Sequence, residues 1–293
     1  MEVALMNKDT TIIYENGNGQ KVRFSTSSDI WCTEIQGASG VDVTISDTQG
    51  VGQIGSTMTS MSLQPRKLTV NGFIKGNVIA LREQILACVL PGVTGTVTIE
   101  EHGESWFLSG APTKTPIFND GPYVQEFQFD FYAPYPLWQT TANVRTQIAG
   151  LTALFHTPFD TSGTFWISKY NDNLYANVYN SGNMPTAFVA TFTASSAVLN
   201  PELYHIGKGT FLKLKREMQT GEVVTISTMP ETAGVTIKHA DGTVENGFRY
   251  LDFESDLYLT LDAGDNLFRY QADENHDGLN VSITAPEGVK SGV

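Results

Sequence analysis

The feature that most constrains this chain is a period-two alternation of apolar and polar residues, which recurs in short segments along most of the sequence. In the segment 126–132, the three phenylalanines fall on one side of an extended chain, while Gln128 and Asp130 fall on the other. Clusters of turn residues separate such segments, and 27 glycines supply the many tight turns that they need. The pattern predicts a mainly β protein built from short strands.

One segment departs from this alternation and predicts an α-helix over about residues 77–90. Apolar side chains recur there at helical spacing: Val78, Leu81, Ile85 and Cys88 or Val89. Asn77 is a suitable N-cap, and Pro91-Gly92 ends the helix. We interpret the apolar stripe as core packing against a sheet.

A change of composition at residues 132–138 marks a domain boundary. Pro134 and Pro136 cannot donate to a sheet ladder, and a polar stretch follows over residues 139–147. We therefore predict two β-domains, 1–138 and 139–293. The second contains short strands at close intervals, among them 257–261, and this spacing is typical of a β-sandwich or jelly roll.

The charge and the cysteine content exclude several classes of protein. The formal net charge is −13 at pH 7, so a basic surface for tight phosphate binding is not expected. Cys32 and Cys88 are too few for a secreted disulfide scaffold and are expected to be buried apolar side chains. The N-terminus lacks a signal-peptide pattern, and no apolar run approaches the ~18 residues of a membrane span. We expect synthesis in the bacterial cytoplasm and no membrane insertion.

Two short motifs suggest ligand binding, and each has a plainer interpretation. Residues 50–55 match G-x-G-x-x-G, but no helical stripe follows to hold a pyrophosphate, so a flexible loop between strands is favoured over a dinucleotide site. Asp273, Asn275 and Asp277 match the first half of a calcium loop, although Thr284 stands where a glutamate is needed. They predict either a calcium site of β type or a polar turn.

Two further clusters are candidate functional sites. Glu100, Glu101 and Glu104 surround His102 and could serve a glycan hydrolase, but a hairpin tip is convex and favours solvated charge. Four aromatic residues at the start of the second domain are candidates for stacking on sugar rings: Trp166, Tyr170, Tyr175 and Tyr179. Core or interface aromatics are the alternative. Since no nucleophile, zinc or cofactor motif stands out, we expect no catalytic residues, no metal, no cofactor and no enzyme activity.

The sequence also resembles the distal tail proteins (Dit) of long-tailed phages and related prophages, over nearly its whole length. The similar segments, in order, are 68–76 with helix residues 81–86, 129–138, 180–186, 221–226 and 261–267. The last three look like the family patterns N-x-G-[DN]-x-P-T, G-[DE]-x-x-x-I and L-x-x-G-x-N. Asp265 before Asn266 is a small departure from the last of them, and the second half is rather long.

This resemblance implies an assembly role at the tip of a virion tail. Domain 1–138 would form a hexameric ring around a channel, through which DNA passes without specific binding. Domain 139–293 would be a galectin-like or carbohydrate-module-like β-sandwich on the outside. The implied partners are further copies of the chain, the tail tube protein, the tape measure protein and the tail-associated receptor-binding or lysin protein. A carbohydrate-binding module that recognises the host surface is the alternative function.

Overall fold

The computed structural model describes residues 3–5, 10–119, 124–153, 168–171 and 175–293. The chain divides into two compact units, Met1–Thr141 with Val289–Val293, and Ala142–Gly288. Strands dominate both units, and the described residues contain one α-helix. The prediction of a mainly β fold with one helix is therefore confirmed.

The first unit contains the first twelve strands and the helix. In chain order these are β1 (Val3–Leu5), β2 (Thr11–Asn16), β3 (Lys21–Ser25), β4 (Ile30–Gln36), β5 (Val43–Thr48), β6 (Thr57–Leu63), β7 (Arg66–Ile74), α1 (Val78–Cys88), β8 (Gly95–Glu101), β9 (Glu104–Pro112), β10 (Ile117–Asn119), β11 (Gln125–Ala133) and β12 (Trp138–Thr140). The main sheet has the order β1-β4-β7-β11-β9-β8-β2-β3, whereas β5 and β6 form a separate two-stranded sheet.

Aromatic residues at alternate positions of β11 build the core of this unit. Phe127, Phe129 and Phe131 are buried, as the alternation predicts. The ring of Phe24, from β3 at the far end of the strand order, lies 5.4 Å from that of Phe127 and 5.6 Å from that of Phe129. Because strands that are distant in the sheet meet across these rings, the sheet folds over its own apolar face.

The helix α1 begins and ends close to the predicted positions. The side chain of Asn77 accepts a hydrogen bond from the N–H of Ala80 at 3.3 Å and so caps the first turn. Ile85 and Cys88 are buried, and Leu81 packs against the same core. The stripe that the sequence predicts is therefore the face with which α1 contacts the sheet.

The second unit is a β-sandwich with two antiparallel sheets. In chain order its strands are β13 (Asn143–Ala153), β14 (Ser168–Asn171), β15 (Tyr175–Asn180), β16 (Val189–Ala194), β17 (Val198–Leu199), β18 (Glu202–His205), β19 (Thr210–Lys213), β20 (Glu217–Met218), β21 (Val223–Ser227), β22 (Gly234–Lys238), β23 (Val244–Asn246), β24 (Gly264–Gln271) and β25 (Leu279–Pro286). A seven-stranded sheet has the order β14-β13-β25-β16-β21-β22-β23, and a four-stranded sheet the order β15-β24-β18-β19. The last strand of the chain, β26 (Val289–Lys290), belongs to the first unit, where it pairs with β12.

The core of the sandwich lies between its two sheets. Phe192 and Val224 reach it from the seven-stranded sheet, and Leu203 and Phe268 from the four-stranded sheet. All four side chains are fully buried. This two-layer arrangement agrees with the β-sandwich that the strand spacing predicts.

The prediction of a strand at residues 257–261 is wrong. The chain forms turns there, and Leu261 makes a single bridge to Thr186. The carboxylate of Asp256 accepts a hydrogen bond from the N–H of Tyr258 at 3.0 Å, and its carbonyl accepts from the N–H of Leu259 at 3.0 Å. Since Leu259 and Leu261 are both buried, the alternate apolar residues reflect burial of a turn and not a strand.

Candidate interaction surfaces

A two-stranded arm is the most exposed ordered feature of the first unit. We define it as residues 43–63, which comprise β5, β6 and the turn that joins them. Every residue of both strands is exposed to solvent. Within the described part of the chain, these strands pair only with each other. The arm therefore lies outside the hydrophobic core of its own chain.

The two faces of the arm differ sharply in chemistry. The register pairs Val43 with Leu63, Ile45 with Met61 and Asp47 with Met58, so these side chains share one face. We call it the apolar face, since Asp47 is its one charged residue. Ile45 is 59% exposed and Met61 is 62% exposed. The opposite face carries only hydroxyl side chains, and we call it the hydroxyl face: Thr44, Ser46, Thr48, Thr57, Ser60 and Ser62. An apolar face without a core behind it is typical of a surface that binds a partner.

The G-x-G-x-x-G run of residues 50–55 forms the tip of this arm. It joins β5 to β6, and the element that follows it is a strand. The helix N-terminus that would hold a pyrophosphate is therefore missing from this position. Gly52 and Gly55 have φ angles of 79° and 78°, which only glycine adopts freely, so the two residues serve the turn.

A buried arginine fixes the base of the arm. Arg66 follows the arm directly and is 3% exposed. Its guanidinium donates to the carbonyl of Pro136 at 2.6 Å, to that of Ala38 at 2.9 Å, and to those of Gly37 and Ser291. These contacts join the segments on both sides of the arm to the end of the chain, so the base of the arm is held rigidly.

The outer face of the four-stranded sheet in the second unit carries a second group of aromatic residues. Tyr175 and Tyr179 alternate along β15 and are 51% and 60% exposed. The register places Tyr175 beside Arg269 and Arg269 beside Tyr204. The guanidinium of Arg269 lies 5.3 Å from the ring centre of Tyr204. Sequence reasoning missed Tyr204 and Arg269, because their neighbours are set by strand pairing and not by sequence distance.

The predicted aromatic cluster is only partly assembled. Tyr170 lies on β14 of the seven-stranded sheet, whereas Tyr175 and Tyr179 lie on the four-stranded sheet. Trp166 falls outside the described residues. Two of the four predicted residues, Tyr175 and Tyr179, therefore share one surface.

The predicted calcium residues are engaged in contacts within the chain. Asp273 accepts hydrogen bonds from Asn200 at 2.7 Å and from Lys213 at 3.4 Å. The hydrogen bond from Asn200 and the charge of Lys213 lower the pKa of the Asp273 carboxyl below its ordinary value. Asn275 donates to Ser196 and to the carbonyl of Ala197. These contacts favour the polar turn, because a lysine already occupies the space beside the carboxylate.

The glutamates near His102 lie on a tight hairpin between β8 and β9. His102 and Gly103 have φ angles of 50° and 82°, which are typical of a type I′ turn. Glu101 accepts from the hydroxyl of Thr10 at 2.9 Å, and Glu104 accepts from Trp106 Nε1 and from Lys290 Nζ, both at 3.0 Å. Hydrogen bonds from Lys290 and then Trp106 lower the pKa of the Glu104 carboxyl. Glu100 and Glu101 are thus half-buried at the end of β8, and Glu104 is exposed at the start of β9.

The polar residues of the family-like motifs serve as hydrogen-bonding centres of loops. Asn180 donates to the carbonyl of Met184, and Asn266 donates to those of Asp262 and Gly264. Both asparagines are 1% exposed. They satisfy backbone groups that would otherwise be buried without partners, which explains why these residue types stand in these turns.

Glu222 is also a hydrogen-bonding centre of a loop, and its side chain is charged. It is 3% exposed, and it accepts from Arg216 at 2.7 Å, from His239 Nδ1 at 2.7 Å and from the N–H of Gln219 at 2.8 Å. Burial raises the pKa of its carboxyl, but the hydrogen bonds from Gln219, Arg216 and His239 outweigh burial and lower it overall. This cluster connects the turn before β21 to the end of β22.

Two classes of site find no support in the part of the chain that the structure covers. Over residues 10–119, 124–143 and 175–293, no three His, Cys, Asp or Glu side chains are grouped closely enough to hold a metal ion. The helix among the described residues is too short to cross a bilayer.

Cys32 and Cys88 are both buried as free thiols, and burial raises their pKa values to about 12 and about 11.

Comparison with known proteins finds a matching family model and similar solved structures. Residues 181–284 match the sequence model of the siphovirus-type tail component, C-terminal domain. The crystal structure of the Dit protein (gp 19.1) of phage SPP1 is similar over 94% of this chain and 98% of that chain, with a TM-score of 0.64 and 16% sequence identity. No curated protein matches the sequence.

Two structures of a phage P2 baseplate in its activated conformation, with Ca and with Sr, also contain similar chains. They cover 97% and 94% of this chain and 98% and 97% of their own, at 11% and 12% identity. Their TM-score of 0.48 is too low to carry a structural inference.

The two stronger comparisons agree with the residues that carry the resemblance. The motifs at 221–226 and 261–267 lie within the matched domain, and the SPP1 protein has the same fold over both units of this chain. Residues 181–284 therefore match a siphovirus-type tail component domain, and the chain shares the fold of the SPP1 Dit protein over 94% of its length.

Proposed function

We propose that this protein is a structural hub of a phage tail tip, which assembles into a hexameric ring and does not catalyse a reaction. The observation that carries the proposal is the exposed arm, since its apolar face packs against no core among the described residues. A ring of identical subunits supplies a neighbour for every such surface, because a heterologous contact that closes gives a cyclic assembly. The similar SPP1 protein is described as a hub of the adsorption apparatus.

The ring belongs to the first unit in this proposal, and the second unit is the outer β-sandwich. The predicted domains 1–138 and 139–293 are assigned to these roles. The ring joins the tail tube and tape measure proteins to the receptor-binding or lysin protein at the virion tail tip. A net charge of −13 suits a channel through which DNA passes without adhering, since phosphate is repelled by an acidic wall.

The mass of the protein in solution tests the ring. Light scattering behind size exclusion, at several concentrations, is expected to give a species near six times 32.0 kDa. Electron microscopy of that fraction is expected to show a central hole. A chain that remains monomeric at the highest concentration, both alone and with the tail tube protein, would contradict the proposal.

A second candidate function, recognition of host carbohydrate, is favoured by the outer face of the four-stranded sheet. Tyr175 presents an exposed ring beside Arg269, and Tyr179 presents one beside Asp265. Aromatic rings with a nearby polar group are the usual partners of sugars. Titration with host cell-wall polysaccharide is expected to show binding that Tyr179→Ala weakens. Tyr258→Ala, a control outside this sheet whose side chain is 70% exposed against 60% for Tyr179, is expected to leave binding unchanged. Absence of binding by the wild type would exclude this function.

A further inference from the structure

The four-stranded sheet of the second unit carries one row of side chains to which each of its strands contributes a residue. The register places Tyr175 opposite Arg269, Arg269 opposite Tyr204, and Tyr204 opposite Phe211. Residues that stand opposite each other on antiparallel strands share one face of the sheet. The alternate residues, such as Phe268, are buried in the core, so this row faces outward. We call these four residues the aromatic row.

Arg269 is the cation of the aromatic row. Its side chain is half-buried, and its guanidinium lies 5.3 Å from the ring centre of Tyr204. A tyrosine ring at this distance attracts the cation and restricts its motion. Tyr175, which is 51% exposed, stands on the other side of Arg269 in the row. The row therefore presents an oriented guanidinium between two aromatic residues.

This guanidinium retains hydrogen-bonding capacity. Its Nε is buried and has no hydrogen-bond partner among the described residues. The ion pairs that the structure describes in the second unit use other cations. Two carboxylates of the same sheet are already engaged, since Glu202 contacts Lys213 Nζ at 3.4 Å and Asp265 accepts a hydrogen bond from Asn177 at 2.6 Å. A partly buried charged donor without an acceptor costs free energy, which an incoming anion would recover.

The chemistry and the spacing of the aromatic row define the ligand that fits it. A guanidinium presents parallel N–H donors that match the oxygens of a carboxylate or a phosphate group. Aromatic rings offer flat apolar surfaces on which the C–H faces of sugar rings can pack. Neighbouring strands lie about 4.8 Å apart, so the tyrosine positions on either side of Arg269 are about 10 Å apart. This span accommodates an acidic sugar together with a neighbouring sugar unit.

The charge around the aromatic row narrows the ligand further. The net charge of −13 repels a dense polyanion such as nucleic acid, which needs many cations to hold it. Tyr179, on the same face of β15, stands beside the carboxylate of Asp265 and not beside a cation. That end of the surface therefore disfavours a second anion. The surface as a whole suits a saccharide in which acidic groups are isolated between neutral sugars.

We propose that Arg269 binds the acidic group of a host saccharide, a carboxylate or a phosphate ester, while sugar rings of the same chain pack on Tyr175 and Tyr204. The inference rests on the second candidate function, recognition of host carbohydrate, and names the class of saccharide. A neutral saccharide leaves the guanidinium without a charged acceptor, whereas an acidic one supplies charge-assisted hydrogen bonds. Tyr179 then contacts a neutral part of the chain.

Competition against bound host cell-wall polysaccharide tests this preference with the full-length protein. The competitors are glucose, glucuronate and glucose-6-phosphate, which share one sugar skeleton and differ in the group at one end. At least one of the two acids is expected to displace the polysaccharide from the wild type about tenfold or more better than glucose does, which corresponds to about 1.4 kcal/mol. The comparison of the two acids distinguishes a carboxylate from a phosphate ester as the group that is bound.

Three variants assign the preference to the guanidinium. Arg269→Gln is expected to abolish the preference for an acid, and Arg269→Lys, which keeps the charge but not the planar fork, is expected to keep part of it. Arg249→Gln is the matched control, because it removes the same charge from a side chain that is 65% exposed and lies outside this sheet. It is expected to keep the full preference. A merely structural role of Arg269 would weaken binding of all three competitors alike and leave their ratio unchanged.

The outcomes separate this inference from the candidate function on which it rests. Equal competition by glucose and both acids in the wild type, or competition by none of them, overturns the acidic site and leaves carbohydrate recognition intact. An unchanged preference in Arg269→Gln, or an equal loss in Arg249→Gln, also overturns it. If Arg269→Gln does not fold, the wild-type ratio and Arg269→Lys decide. A wild type that does not bind the polysaccharide refutes carbohydrate recognition, and the acidic site with it.

Discussion

Replacement of Arg66 by methionine is expected to loosen the base of the arm and destabilise the first unit. Methionine has a similar length but donates no hydrogen bond, so the charge-assisted bonds to four carbonyls are lost. Ala38 keeps a partner, because its carbonyl also accepts from Trp138 Nε1 at 2.9 Å. Pro136 is buried, and its carbonyl loses the donor that lies 2.6 Å away.

The magnitude follows from these contacts. A buried carbonyl without a donor costs about 1–3 kcal/mol, and each net bond to a charged donor contributes about 1.5–3 kcal/mol. Relief from burying the guanidinium offsets part of this loss, so we expect a net destabilisation of about 3 kcal/mol. For a unit of this size, that corresponds to a fall in melting temperature of roughly 6–12 °C. Arg66→Lys keeps the charge but not the planar fork, and is expected to lose about half as much.

Differential scanning calorimetry is the suitable assay, because the two units can unfold in separate transitions. The transition of the first unit should shift, and that of the second unit, which contains no contact of Arg66, serves as an internal control. A shift below about 1 kcal/mol in Arg66→Met would refute the reasoning, since it would mean that water replaces the guanidinium at every carbonyl.

The remaining predictions concern one packing contact and one buried charge. Gly72→Ala is expected to destabilise the first unit by about 1–3 kcal/mol in urea titrations, because an added Cβ would lie 2.6 Å from Phe127 Cζ and also collide with the carbonyl of Trp31; an unchanged midpoint would contradict this packing. Glu222→Gln is expected to cost the second unit about 2 kcal/mol at pH 7, since Arg216 and His239 lose their carboxylate partner. Because the folded pKa of Glu222 lies below its ordinary value of 4.5, this stabilisation is complete above pH 4.5 and is lost as the pH falls through the lower, folded pKa. The difference between wild type and Glu222→Gln should therefore shrink in that acidic range, and a difference that stays constant with pH would contradict the assignment.

Local sequence patterns predict much of this fold without reference to tertiary contacts. The alternation in β11 predicts which phenylalanines enter the core, because successive side chains of a strand must point to opposite faces. The helical spacing and the Asn77 cap predict α1 within two residues of its ends. The loop motifs around Asn180, Glu222 and Asn266 carry the family resemblance. Each of these residues satisfies backbone or charged groups within its own turn or a neighbouring one.

Tertiary structure alone decided what covers each apolar face. The alternation of residues 43–46 resembles that of β11, yet the first belongs to an exposed arm and the second to the core. Likewise, Leu259 and Leu261 alternate as they would in a strand, but they lie buried in a segment that hydrogen bonds hold in a turn. Period-two spacing shows only that an extended segment would have one apolar face and one polar face. Which surface meets the apolar one depends on contacts between residues far apart in the chain, as where β26 pairs with β12, and no local pattern encodes those contacts.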